Sequence, residues 1–188
     1  MSFPIYVFLA TGFEDIEAIG VIDICRRAAL PVTTVSITGE STVVSAHGVG
    51  IVADELFDDL DFSDAAMLFL PGGMPGATNL EAHAGLREVI LRHYEAGKPL
   101  GAICAAPLVL GGLGLLKGKR ATCYPGFEET LTGAEYTAEL VTVDGNIVTG
   151  EGPAAAFPYA YTLLAMLTDE LTARGVAEGM RYVHLMEG

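Results

Sequence analysis

The stretch KPLGAICAAPLVL, residues 98–110, runs apolar into a single cysteine, Cys104, then passes through two alanines and a proline into a second apolar run. Residues 99–104 read as a buried strand and residues 106–116 as a buried helix with Pro107 in its first turn, so the thiol sits at the turn between them. A nucleophile on such a turn needs small neighbours, because the backbone comes too close for larger side chains; the familiar form is G-x-S-x-G. Here the equivalent positions are Ala102, Cys104 and Ala106, with Ala105 directly after the cysteine. Backbone N–H groups at the start of the helix would face the sulfur, favour thiolate over thiol and offer themselves to an oxyanion. The competing reading is that Cys104 is a small buried hydrophobe, as free cysteines often are.

Working outward, strands alternate with helices. Residues 4–10, 31–37 and 65–73 read as strands, the last ending in a glycine turn, and 43–54 as a hairpin or short edge strands. A loop and helix follow the first strand, with an acidic first turn and Arg26-Arg27 at its end, which suits the helix dipole. Residues 81–97 form an amphipathic pattern closed by Gly97. Short strands follow at 120–124, 138–145 and 146–152, the last two joined by Asp144-Gly145, and a helix opens at Pro153 and runs to 171. This alternation predicts a single α/β domain over 1–188, a three-layer sandwich around a mostly parallel sheet, with ligands at the carboxyl ends of the strands. Three loops lie there: ATGFED, PGGMPG (the other supply of oxyanion-holding N–H groups) and the turn holding Cys104.

Composition narrows the function classes. With 51% hydrophobic residues the chain of 188 has too much apolar surface for disorder. A net charge of −14 with only 10 basic residues, spread along the chain, excludes nucleic acid as the expected partner. Three cysteines without metal-like spacing argue against a disulfide framework and for a reducing, cytoplasmic compartment. The first residues show no signal peptide. The uncharged segment 99–116 approaches membrane-span length, but Pro107 and its glycines fit a buried strand and helix instead.

A thiol of this kind is usually activated by histidine. His47, His83, His93 and His184 all lie far from Cys104 in sequence, and each reads as a solvated surface residue. Cys25, on an apolar helix face, and Cys123, in a strand, read as packing residues. Carboxylates are the other option: Glu14, Asp15 and Glu17 follow the first strand and lie at the same sheet edge as Cys104. Periodicity places Glu17 on a stripe with Gly20, Val21 and Ile24 but does not choose among the three acids, all of which could cap the helix. GEGPAA (150–155) lacks the later strand and acidic residue of a dinucleotide site, and PGGMPGATN lacks the Lys-Ser/Thr of a phosphate loop.

VFLATGFEDIEA, LFLPGGMPGATNL and GAICAAPLVL, in that order and spacing, resemble the ThiJ/PfpI superfamily, closest to the branch of the parkinsonism-associated deglycase. The likeness runs from about residue 4 to 168. It implies a flavodoxin-like, class-I glutamine-amidotransferase-like fold, a homodimer, and a reactive cysteine on a nucleophile elbow. By this resemblance Cys104 is the reactive cysteine and Glu17 the glutamate that hydrogen-bonds it. Gly73 and Ala105 supply the N–H groups of the anion pocket; Gly72, Tyr124 and Gly152-Pro153 line it. No metal and no cofactor are implied.

The chain also departs from the family. Ala105 stands where the protease-like branch has histidine, Tyr124 where close members have histidine, and Glu151 where an arginine is common. The expected function is a cofactor-free glyoxalase or deglycase acting on small reactive aldehydes, an oxidative-stress response, or both. The alternatives are a redox-sensing or chaperone-like protein without turnover, working through a Cys104 sulfinate, and, ranked lower, an amidase, a peptidase or a thiamin-related role.

Overall fold

The β-branched and aromatic run Ile5–Leu9 forms the first strand, β1, every residue of which is buried. In the computed structural model, which describes residues 3–187, β1 is followed by α1 (Asp15–Arg27), β2 (Val32–Ser36), β3 (Thr42–Val44), β4 (Gly50–Val52) and β5 (Glu55–Leu56). Then come β6 (Met67–Leu70), α2 (Gly76–Ala82), α3 (Ala84–Glu95), β7 (Leu100–Ile103) and α4 (Pro107–Gly112). The chain continues through β8 (Arg120–Ala121), β9 (Glu135–Tyr136), β10 (Val141–Asp144), β11 (Ile147–Gly150), α5 (Ala156–Leu167), α6 (Glu170–Gly179) and α7 (Tyr182–Glu187).

Seven strands make one sheet in the order β10-β11-β7-β6-β1-β2-β5, parallel throughout except for β10 against β11. β1, β6, β7 and β11 are buried along their whole length, which is why they read as unbroken apolar runs rather than alternating ones. Helices α1 and α5 pack together, as do α2 with α3 and with α4, giving the α/β sandwich of flavodoxin-like type. β1, β6 and β7 are neighbours in this sheet, so the loops after them converge at one edge.

The hairpin β3–β4 stands apart as its own two-stranded sheet. Two backbone hydrogen bonds, Gly12 N to Val44 O and Ala46 N to Phe13 O, both 2.8 Å, tie it to the entrance of α1. Among the described residues no helix is long and apolar enough to cross a membrane.

The structure corrects several local expectations. The helix expected over 81–97 is two helices. His83 is extended at their junction, and its Nδ1 accepts the Leu86 N–H at 3.0 Å, so it caps α3. His93 is buried, 6% exposed, with Nε2 at 2.9 Å from Pro99 O, and is therefore a core histidine rather than a solvated one. Cys123 lies beyond the two-residue strand β8 rather than inside a strand, although it is buried as expected. The helix after Cys104 stops at Gly112, and the last expected helix ends at Leu167. Asp169 then starts another by accepting the Thr172 N–H at 2.7 Å, so the tail adds α6 and α7.

Candidate active site

Cys104 occupies the turn between β7 and α4 with φ 64°, the left-handed region that costs a non-glycine residue about 1 kcal/mol or more. Its backbone is fixed on both sides: its N–H donates to Gly150 O and its carbonyl accepts from Tyr124 N, each at 2.8 Å. Ala106 N closes the turn onto Ile103 O at 3.0 Å. The reason for small neighbours is visible at Gly72, where an added Cβ would lie 2.6 Å from Cys104 Cβ and 2.7 Å from Glu17 Oε2. Gly73 has φ +86°, and a side chain there would collide with the Glu14 amide nitrogen. The glycine pair thus lets the β6–α2 loop press against both reactive side chains.

Glu17 sits in the first turn of α1, 0% exposed. Val21 and Ile24, on the expected inward stripe, are buried with it, while Gly20 is half-buried. Oε2 accepts the Gly72 N–H at 2.8 Å. Oε1 is buried without a hydrogen-bond partner, and the Cys104 side chain adjoins the carboxyl across Gly72 and favours its charged form. Burial raises the Glu17 carboxyl to about 7; Cys104 and the Gly72 N–H resist that rise, and the nearby Glu14 charge adds to it. Burial also raises Cys104, to about 12, reinforced by Glu17 and opposed by the N–H groups of Gly73 and Ala105.

These directions correct the expectation of a thiol acidified by the helix start. α4 is only six residues long, and burial next to an acid outweighs its N–H groups. The two groups titrate as a pair. Between their two shifted values the pair holds one proton and one negative charge. With the proton on the buried carboxyl, Glu17 becomes a donor, its repulsion vanishes, and the charge rests on a sulfur facing Gly73 and Ala105. The order of the two values leaves that proton on the sulfur in the resting pair, and its transfer to the carboxyl is the step that would expose a thiolate.

Beside the elbow, residues of the β8–β9 and β11–α5 connections, including Tyr124, Pro125, Glu151, Gly152 and Pro153, line a cleft of ≈ 260 Å³. Gly152 has an extended backbone, and a Cβ there would reach 3.0 Å from Tyr124 Cδ2, so its small size makes room for the tyrosine ring. Tyr124 is 46% exposed. All the expected site residues thus lie on the elbow, on the loop and helix pressed against it, or on this adjoining cleft.

Sequence reasoning missed the surroundings of Asp15. His47 Nδ1 lies 2.8 Å from Asp15 Oδ2 and 3.8 Å from Glu14 Oε2, which joins the β3–β4 hairpin to the start of α1. The Asp15 hydrogen bond and the Glu14 charge raise the His47 ring. Among the described residues these three form the one group of metal-type donors close enough to share an ion, and two of its members bond each other directly. No sequence signal locates His47 there, because tertiary bonds across the α1 entrance place the hairpin.

The DJ-1/PfpI family profile matches residues 4–166. The chain is 38% identical over 161 residues to protein DJ-1 homolog B of Arabidopsis thaliana, covering 85% of this chain and only 37% of that protein's length. It is 33% identical over 183 residues to protein dj-1beta of Drosophila melanogaster, covering 96% and 97% of the two chains. The oxidised form of Toxoplasma gondii DJ-1 superposes with a TM-score of 0.91 at 33% identity, over 95% of this chain and 98% of that one.

Proposed function

The chain belongs to the DJ-1/PfpI family, and from that premise we propose that it is a cofactor-free enzyme converting small reactive aldehydes, methylglyoxal the model case, to hydroxy acids. The observation that supports this reading is the fully buried Glu17 carboxyl packed beside Cys104 across Gly72, one oxygen held by the Gly72 N–H and the other without a partner. Proton transfer to Glu17 leaves the sulfur free to attack the aldehyde carbon, and a hemithioacetal forms. The N–H groups of Gly73 and Ala105, which favour negative charge at the sulfur, would hold the developing oxyanion. The oxyanion takes the thiol's proton back from Glu17, and the freed carboxylate then moves a proton from the former aldehyde carbon to the neighbouring ketone carbon, oxidising the first and reducing the second, which gives a thioester. Water cleaves the thioester, releasing lactate and restoring the thiol. No outside oxidant is required. Lactate production from methylglyoxal by the purified protein, lost in Cys104→Ala, tests the scheme; full activity in that variant refutes it.

The same donors favour one second reading. A sulfinate at Cys104, formed with two equivalents of peroxide and release of two waters, would be held by Gly73, Ala105 and a protonated Glu17. Intact-mass analysis after peroxide should add two oxygens, mapped to Cys104; equal oxidation of all three cysteines counts against it. We also infer a homodimer. The face between α1 and the β3–β4 hairpin leaves Ile16, Ile19 and Val49 exposed at 51%, 42% and 53%, with Ile51 and Phe157 beside them. Ile19→Glu should then shift the protein to monomer in light scattering.

A further inference from the structure

The cleft beside Cys104 contains one charged side chain, and it is negative. Its lining is Tyr124, Pro125, Glu151, Gly152, Pro153 and two alanines, with no lysine, arginine or histidine. Both walls are tied to the reacting residue through the backbone. Glu151 directly follows Gly150, whose carbonyl holds the Cys104 N–H, and Tyr124 N bonds the Cys104 carbonyl. Glu151 is itself fixed by its N–H to Leu140 O at 3.0 Å, so its carboxylate hangs from an ordered segment. The charges that act on the sulfur and its partner are acidic as well, Glu17 at Cys104 and Glu14 at Glu17, while Glu151 acts at the cleft rather than on the sulfur itself. His47, the nearby ring, is already engaged by Asp15.

We propose that Glu151 acts as a charge filter on the approach to Cys104, so that the site admits neutral or cationic carbonyl compounds and turns away those carrying a carboxylate. This rests on the reading of Cys104 as the reacting sulfur and adds the substrate class to it. The physical reason is like-charge repulsion. A carboxylate entering the cleft meets Glu151 with no opposing cation among the lining residues, and within a few ångströms such repulsion is worth about 1 kcal/mol even in water.

The test uses two alkylating agents of nearly equal size, neutral iodoacetamide and anionic iodoacetate. Each forms the S–C bond as iodide leaves. Rates are read at Cys104 by peptide mass analysis and expressed as the amide-to-acetate ratio, which cancels differences in thiol reactivity between variants. The ratio in the parent protein should exceed that of a small neutral thiol, fall by about threefold to fivefold in Glu151→Gln, and fall further in Glu151→Lys. Raising salt to molar strength should compress the parent's ratio without any substitution. A ratio unmoved by both substitutions and by salt overturns the filter. Lactate assays run alongside separate the two ideas. A charge-dependent ratio without turnover keeps the filter and removes the enzyme reading, whereas turnover with a charge-independent ratio does the reverse.

Discussion

Cys25 and Cys104 are both buried thiols raised to about 12, yet they differ in what surrounds them. At Cys25, inside α1, burial is the sole cause of the shift, and no acid or N–H donor addresses the sulfur. At Cys104 a carboxyl lifted to about 7 adjoins the sulfur, the backbone N–H groups of Gly73 and Ala105 oppose the rise, and the residue is held in a left-handed turn. A raised thiol is therefore no sign of inertness by itself. What separates the two is whether a neighbour exists that can take the proton and whether donors remain for the charge left behind.

The most forceful way to break this contrast is to delete each sulfur in turn. Cys104→Ala should abolish lactate formation from methylglyoxal, a loss of at least about 100-fold, as expected for a missing nucleophile. Cys25→Ala should leave turnover intact and cost about 1–2 kcal/mol in denaturant unfolding through the cavity it opens. Comparable activity in the two variants would erase the distinction.

Glu17→Gln sharpens the comparison through stability. The folded-state carboxyl is raised from 4.5 to about 7, so the native state binds more protons than the unfolded chain between those values. Stability from this group is full below about pH 4.5 and is lost as pH rises through 7, by up to about 3 kcal/mol. The parent should therefore weaken between pH 5 and pH 8 more than Glu17→Gln does, read as the difference in unfolding midpoints. Parallel midpoint curves would show that the carboxyl is not buried as described.

Gly72→Ala tests the packing that brings the pair together. Its new Cβ would crowd Cys104 Cβ and Glu17 Oε2 at 2.6 and 2.7 Å, which should destabilise by about 1–3 kcal/mol and depress turnover. Tyr124→Phe is expected to have the smallest effect, within a fewfold in kcat/KM, because the ring rather than the hydroxyl packs on Gly152.

The parts of this site that could be read from sequence are those made by neighbours in the chain. Ala102, Cys104 and Ala106 announce a tight strand-to-helix turn, and the unbroken apolar runs announce buried parallel strands. Glu17 was one of three acids until family resemblance singled it out, since spacing orients a helix face but does not say what lies opposite. His83 as a helix cap escaped notice because caps are usually Ser, Thr, Asp or Asn. The buried His93 escaped too, because its partner is Pro99 O, supplied by the connection into β7. The protonation of Cys104 was misjudged for a related reason: a helix start is visible in sequence, whereas the depth of burial that outweighs it is a property of the folded chain.

The measurement that bears most directly on the proton-sharing pair is the pH dependence of Cys104 alkylation by iodoacetamide in the parent and in Glu17→Gln. In the parent, reactivity should rise with a midpoint near 7, where the pair loses its first proton and the sulfur can take the charge. In Glu17→Gln that step should vanish and the midpoint move above the usual thiol value near 8.5, as burial alone demands. The same midpoint near 7 in both proteins would show that main-chain donors ionise the sulfur without Glu17, and would contradict the account.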